Sequence, residues 1–252
     1  YLIDNNVGMT IFQCSLDNNS TNLNLNFSTC QDLHISPHTR LIAIAVDTPR
    51  NQLYAIDTPS NTVVRFNMAE DSTYPEPPKL GDSFDVLHQL LPVDLLTDSF
   101  PQHLTLDPEA GTLYVRTKKG IGRGMMRQAA PPQSGYPRLQ PLIDDPLLVA
   151  FTLDLHLQRL YWVRYKSYSG QSRLVQLWSA ALDGTDAVLA ADWSAETTCT
   201  VPAALHWEPP RNASSNSSSL WVVSTNSRIC NWNGTVMHAV SSAVNYGNMK
   251  SS

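Results

Sequence analysis

Between Leu147 and Trp193 the chain alternates four short apolar runs with polar or glycine-containing breaks. The runs are LLVAFTLD (Leu147–Asp154), RLYWVRY (Arg159–Tyr165), RLVQLWSAAL (Arg173–Leu182) and AVLAADW (Ala187–Trp193). The breaks are the residues after Asp154, then YSGQS and DGTD. Branched and aromatic residues at alternate positions in runs of this length predict strands, and the short turns predict antiparallel neighbours. One four-stranded meander leaves an apolar face open, so further copies are expected along the chain.

Alignment on the second strand of that unit exposes them. Tetrads begin at Tyr1 (YLID), Tyr54 (YAID), Tyr114 (YVRT), Tyr161 (YWVR) and Trp221 (WVVS), at spacings of 53, 60, 47 and 60 residues. From the second copy on, each follows a strand ending in an acid and then a turn: AIAVDTPRNQLY, LTLDPEAGTLY, FTLDLHLQRLY and LHWEPPRNASSNSSSLW. In three of the four a proline comes directly after the acid or one residue later, which presets φ for a turn. Third-strand candidates are MTIFQCSLD, TVVRFNM, GMMRQ, RLVQLWSAALDG and SRICNWNG; fourth-strand candidates are NLNLNF, FDVLHQLLP, RLQPLI, AVLAADW and TVMHAV. Strand-only repeats of about 50 residues predict an all-β fold, a β-propeller of four-stranded antiparallel blades. Radial packing buries both faces of a blade, which explains LIAIAV and LLVAF. Five repeats are visible and the blade count is expected to be five or six, in one domain over 1–252 that starts within a blade. The tail SAVNYGNMKSS is a candidate for the strand that completes the first blade. A β-sandwich or two small β domains are the plainer alternatives. The proline-rich stretches Ser72–Ser83 and Ala129–Pro141 are expected as extended insertions between third and fourth strands.

Composition adds a compartment. The sequons at Asn18, Asn19, Asn26, Asn212, Asn216 and Asn233 lie in polar loop-like segments, and the cysteines are four, an even number. Both features predict a secreted or extracellular glycoprotein. Three cysteine pairings are open. Proximity along the chain favours Cys14–Cys30 and Cys199–Cys230, the first worth ~3 kcal/mol in the loop-entropy model. A net charge of −5 argues against a nucleic-acid partner. No apolar run is long enough to span a membrane, and an opening at Tyr1 inside a strand suggests a processed or partial chain.

The tetrads at Tyr1, Tyr54 and Tyr161, the acid–turn–Leu–Tyr lead-in, and the phrase Ala181-Leu-Asp-Gly-Thr-Asp186 resemble the YWTD, or low-density-lipoprotein-receptor class B, repeat. Arg164 stands where that phrase has Asp. The resemblance implies an extracellular six-bladed propeller that binds protein ligands or serves as a structural module beside them.

No G-x-S-x-G, H-E-x-x-H, phosphate-binding loop or EF-hand phrase occurs. Asp144–Asp145 reads as a solvated turn and Asp183/Asp186 as a tight hairpin without metal. His34 and His38 are separated by Pro37, which breaks the helix that would bring them together. No catalytic residue, metal site or cofactor is therefore expected. The one basic run, Lys118 to Arg127, places Lys118, Lys119, Arg123 and Arg127 in an exposed loop, a candidate contact for an acidic partner. Tyr165 and Tyr168, after the second strand of the reference unit, are candidate exposed anchors. The six tryptophans are expected mostly in blade packing.

The expected function is that of a protein-binding ectodomain or secreted module, without catalysis, whose partner is an extracellular protein or a neighbouring subunit. The rivals are a calcium-dependent lactonase or hydrolase propeller and a structural subunit of an extracellular assembly.

Overall fold

A computed structural model describes residues 2–4, 10–14, 30–33, 41–68, 85–90, 103–127, 135–166, 174–194, 202–208, 219–224, 229–232 and 237–241. These residues form five antiparallel sheets. The first holds β1 (Leu2–Asp4), β2 (Thr10–Cys14) and β3 (Cys30–Leu33). The second holds β4 (Leu41–Asp47), β5 (Gln52–Asp57), β6 (Thr62–Asn67) and β7 (Asp85–Gln89). The third holds β8 (Leu104–Asp107), β9 (Thr112–Thr117), β10 (Gly120–Met125) and β11 (Gln140–Asp144). The fourth holds β12 (Leu148–Asp154), β13 (Arg159–Tyr165), β14 (Leu174–Ala181) and β15 (Val188–Ser194). The fifth holds β16 (Pro202–Glu208), β17 (Ser219–Ser224), β18 (Ile229–Trp232) and β19 (Met237–Ser241). Each sheet keeps chain order, as a meander must.

The recurring lead-in has a physical cause. Asp47, Asp107 and Asp154 end β4, β8 and β12 and are buried almost completely. Asp154 Oδ1 accepts the backbone N–H groups of His156 (3.0 Å) and Leu157 (2.9 Å), and Asp107 Oδ1 accepts that of Ala110 (3.0 Å). Asp47 pairs with Arg50 at 2.7 Å. Four residues after each acid the chain turns left-handed, at Asn51 (φ 52), Gly111 (φ 65) and Gln158 (φ 54). Asp107 and Asp154 accept N–H groups of the turn that follows, whereas Asp47 pairs with the arginine of its turn.

Two sequence expectations fail here. The third strand of the third sheet is Gly120–Met125, not GMMRQ. In the first sheet β2 pairs with Cys30–Leu33, while NLNLNF lies outside the described residues. Ser72–Ser83 also lies outside them.

The chain divides into two compact units, one of Tyr1–Leu95, Leu106–Tyr114 and Arg123–Gln140, the other of Leu96–Thr105, Val115–Gly122 and Pro141–Ser252. In the first, Leu41, Leu53, Ala55, Val64 and Phe66 form a core on sheet two. His88 on β7 bonds through Nε2 to the Met125 carbonyl (2.8 Å). Gly124 permits this approach, since a Cβ there would lie 2.4 Å from that nitrogen. The Gln89 N–H donates to the Pro137 carbonyl (3.1 Å) and Gln89 bridges Arg138 in parallel, so part of the Ala129–Pro141 insertion runs along the edge of β7.

In the second unit, sheets four and five share one core. Tyr161, Val163, Tyr165, Val175 and Leu177 meet Leu205, Trp207, Leu220 and Val222. Tyr161 and Trp207 stack at 4.9 Å and 7°. β12 is buried along its whole length, which is why it lacks a polar alternation.

Candidate functional site

Sheet four buries one face against sheet five and carries a different chemistry on the other. Directly opposed residues of antiparallel strands share a face. The registers Trp162↔Trp178, Arg164↔Gln176, Gln176↔Asp192 and Trp178↔Leu189 therefore put these six side chains on one side of β13, β14 and β15. The indoles of Trp162 and Trp178 stack at 6.1 Å, and the Arg164 guanidinium carbon lies 6.0 Å from the Trp178 ring centre. Trp178 donates to Gln176 (3.3 Å), Gln176 donates to Asp192 (3.1 Å), and Lys166 reaches the same carboxylate (3.4 Å).

Asp145, in the link from β11 to β12, holds this arrangement at its buried end. Its Oδ2 accepts the Trp162 indole N–H (3.1 Å) and pairs with Arg164 (3.4 Å). Its Oδ1 accepts the Leu147 N–H (3.1 Å), and its own N–H donates to the Lys119 carbonyl (2.7 Å). Asp145 is only 5% exposed. The expectation of a solvated turn at Asp144–Asp145 thus fails for Asp145, while Asp144 is exposed but ends strand β11. The strip runs from buried Trp162, through half-buried Arg164 and Trp178, to Leu189 (46% exposed) and exposed Lys166. A planar cation laid near an aromatic, with an open aliphatic neighbour, provides the residue types that anchor protein contacts. These side chains include no nucleophile paired with a base.

The sequence-derived contact residues are distributed otherwise. Lys118 and Lys119 are exposed in the β9–β10 turn. Arg123 lies on β10 and donates to Gln140 (3.1 Å), and Arg127 is exposed beyond the strand's other end. A six-residue strand, roughly 17 Å long, separates the lysines from Arg127, so the run is not one loop. Tyr165 is 4% exposed: β13 continues through it, and its position faces the shared core. It is not an exposed anchor. Tyr168 and all six sequon asparagines (Asn18, Asn19, Asn26, Asn212, Asn216 and Asn233) lie outside the described residues, as do Cys199, His34 and His38. Cys14 and Cys30 are register partners on β2 and β3, and Cys230 is fully buried beneath the shared core. Asp183 uses Oδ1 to accept the Thr185 N–H (2.9 Å) and hydroxyl (2.6 Å), as a tight hairpin requires.

A buried cation sits away from the strip. Arg116 takes the third tetrad position, where Ile56, Val163 and Val223 stand in other copies. It is 3% exposed and donates to the Leu148 carbonyl (2.7 Å), while its backbone N–H donates to the His103 carbonyl (2.9 Å). The His103 ring lies 4.6 Å from that of Phe151. Burial, then the Arg116 charge, lowers the His103 pKa to about 4. Among the described residues no three metal-ligating side chains cluster, and no helix is long and apolar enough to cross a membrane.

No protein-family model matches the chain, and no curated protein matches it. Solved structures do. A chain in the crystal structure of a nidogen/laminin complex is 15% identical and aligns over 89% of this chain and 71% of its own length, with a TM-score of 0.56. Candidate 6-phosphogluconolactonases from Bacteroides uniformis and Bacteroides fragilis align with TM-scores of 0.48 and 0.47, at 12% and 13% identity, over 80% and 81% of this chain. This chain spans about half, 54%, of each of those two. The likeness to the first, together with the succession of antiparallel meanders, shows the fold alone: the chain is an all-β propeller with four-stranded blades.

Proposed function

We propose that the chain is a secreted or ectodomain glycoprotein propeller of the YWTD type whose work is to bind another extracellular protein, without catalysis. The observation that carries this reading is the strip on sheet four, where Arg164 and Trp178 are oriented by Asp145 and Gln176 and left partly open beside Leu189. Pre-oriented aromatic and arginine side chains bind with little further loss of conformational freedom. The structural neighbour comes from a nidogen/laminin complex, which is consistent with it.

The reading carries its own covalent chemistry. The six sequon asparagines bear glycans, and the cysteines pair as Cys14–Cys30 and Cys199–Cys230. Opposed residues in an antiparallel ladder have Cα atoms about 4.5–5.5 Å apart, within the range a disulfide spans. The 252 residues belong to one propeller domain.

The test is a screen of the purified glycoprotein against an array of extracellular and matrix proteins. The reading expects at least one partner whose binding falls with both Trp178→Ala and Arg164→Ala. An array with no binder, or binders indifferent to both substitutions, overturns it.

A further inference from the structure

Sheets two, three and four each end on their fourth strand, and these three edges differ. On β7 the chain covers its own edge. The Gln89 N–H donates to the Pro137 carbonyl and Gln89 bridges Arg138 in parallel, so the exposed segment Tyr136-Pro137-Arg138 runs along that strand, where Leu87 and His88 are buried. The edge strand β11 carries Pro141, which withholds a donor from any further strand. β15 reads VLAADWS, with neither a proline nor a lysine to block pairing. Among the described residues no strand and no backbone hydrogen bond lies on the side of β15 away from β14. Val188, Leu189 and Asp192 are exposed, and Ala190 and Ala191 are half-buried. The hairpin that ends in β15 is also acidic. Asp183, Asp186 and Asp192 are exposed, and no lysine or arginine occurs from Leu174 to Pro210. Leu189 opposes Trp178 and Asp192 opposes Gln176, so a register shift at Leu177/Trp178 puts both on the strip's side of β15. Asp192 accepts from Gln176 and pairs with Lys166, a surface contact that another cation can replace.

We propose that β15 takes up an extended basic segment of the protein partner as a fifth strand of sheet four. The segment hydrogen-bonds along the open edge, with an apolar side chain beside Leu189 and a lysine or arginine beside Asp192. Main-chain hydrogen bonds supply affinity in this mode, and alternate side chains supply specificity. Charge complementarity selects the occupant: the hairpin offers three exposed carboxylates and no basic residue of its own. A second copy of β15 in that place would set these acids against their own kind. The β7 edge shows that an extended segment bearing an arginine, Arg138, already lies along a fourth strand of this molecule. The inference rests on the protein-binding reading and deepens it by naming the segment bound beside the strip. Pairing along the edge uses backbone rather than Arg164 or Trp178, so the two fail separately.

A displayed library of random decapeptides, selected on the purified full chain, supplies the probe. Selected peptides are expected to alternate apolar residues with lysine or arginine. The strongest is then synthesised with N-methyl groups on its odd or on its even residues. An added strand turns only every second N–H toward the sheet, so one series is expected to lose binding at least tenfold and the other to keep it. Hydrogen exchange of the wild-type chain with saturating peptide is expected to slow at Val188–Ser194. Asp192→Lys, shown to be folded by circular dichroism, is expected to weaken the peptide about tenfold. A library that yields no binder overturns the proposal. So do binders that both methylated series leave unchanged, or exchange at Val188–Ser194 that the peptide does not slow. Peptides that ignore β15 and lose affinity with Arg164→Ala and Trp178→Ala also overturn it, while leaving the strip's role in binding intact.

Discussion

The indole N–H of Trp162 donates to the carboxylate of Asp145 across 3.1 Å, joining β13 to the link between the third and fourth sheets. The same carboxylate meets Arg164, so one buried acid fixes the first two members of the strip. Asp145→Ala removes the acceptor of the indole and the counter-charge of the guanidinium, both in a largely dry site. The expected loss is about 3 kcal/mol of unfolding free energy. Denaturant unfolding of Asp145→Ala, Trp162→Phe and the double variant measures it. A coupling energy near zero between the two positions would contradict the role given to this hydrogen bond.

His103 makes stability depend on pH. Its folded pKa, about 4, lies below the ordinary histidine value of 6.5, because burial and the Arg116 charge disfavour the imidazolium. The unfolded chain therefore takes up this proton first. Stability from the neutral ring is complete above pH 6.5, falls as the pH drops toward 4, and levels off below that. The fall is at most about 3 kcal/mol. His103→Phe is expected to flatten that part of the profile; an unchanged slope between pH 6.5 and 4 would show that His103 is not its source.

Two glycines separate backbone strain from collision. Gly111 is left-handed (φ 65) with nothing within 4 Å of a Cβ, so Gly111→Ala costs about 1 kcal/mol through conformation alone. Gly120 has φ 138, and a Cβ there would fall 2.0 Å from the Ile143 carbonyl oxygen. Gly120→Ala is expected to cost at least twice as much. Thermal unfolding of the two variants checks the order, and equal costs would contradict it.

The register of β2 and β3 bears on the cysteines. Peptide mapping of unreduced protein is expected to recover a fragment joining Cys14 to Cys30, with neither residue alkylated. Alkylation of both without reductant would remove that bond.

How far the sequence foretold this molecule depended on whether the governing contacts were local. The second strand of the fourth sheet falls where the pattern placed it, at Arg159–Tyr165, because its edges are set by adjacent turns. The acid of each lead-in was visible as a repeat, though the turn N–H groups accepted by Asp107 and Asp154 and the Arg50 pairing of Asp47 were not. β10 was misplaced because GIGRGM holds three glycines and little strand propensity; packing overrides propensity there, at Gly120 against Ile143 and Gly124 against His88. Asp145 was misread because two acids before a proline look like a solvated turn, while its partners Trp162 and Arg164 lie in another strand. Tyr165 reads as exposed because it stands last in its strand, whereas its position faces the core shared with sheet five. The strip had one legible trace, alternation of Trp162 with Arg164 on β13 and of Gln176 with Trp178 on β14. Recognising it needed the register between the strands.

The central claim is that the strip on sheet four binds protein. Its most direct test is the affinity of Trp178→Ala for a partner captured from the extracellular array, measured beside the wild type by surface plasmon resonance. Loss of a central aromatic anchor is expected to weaken binding about 30-fold, near 2 kcal/mol, with the unfolding midpoint little changed. Unchanged affinity in a folded Trp178→Ala protein would contradict the claim.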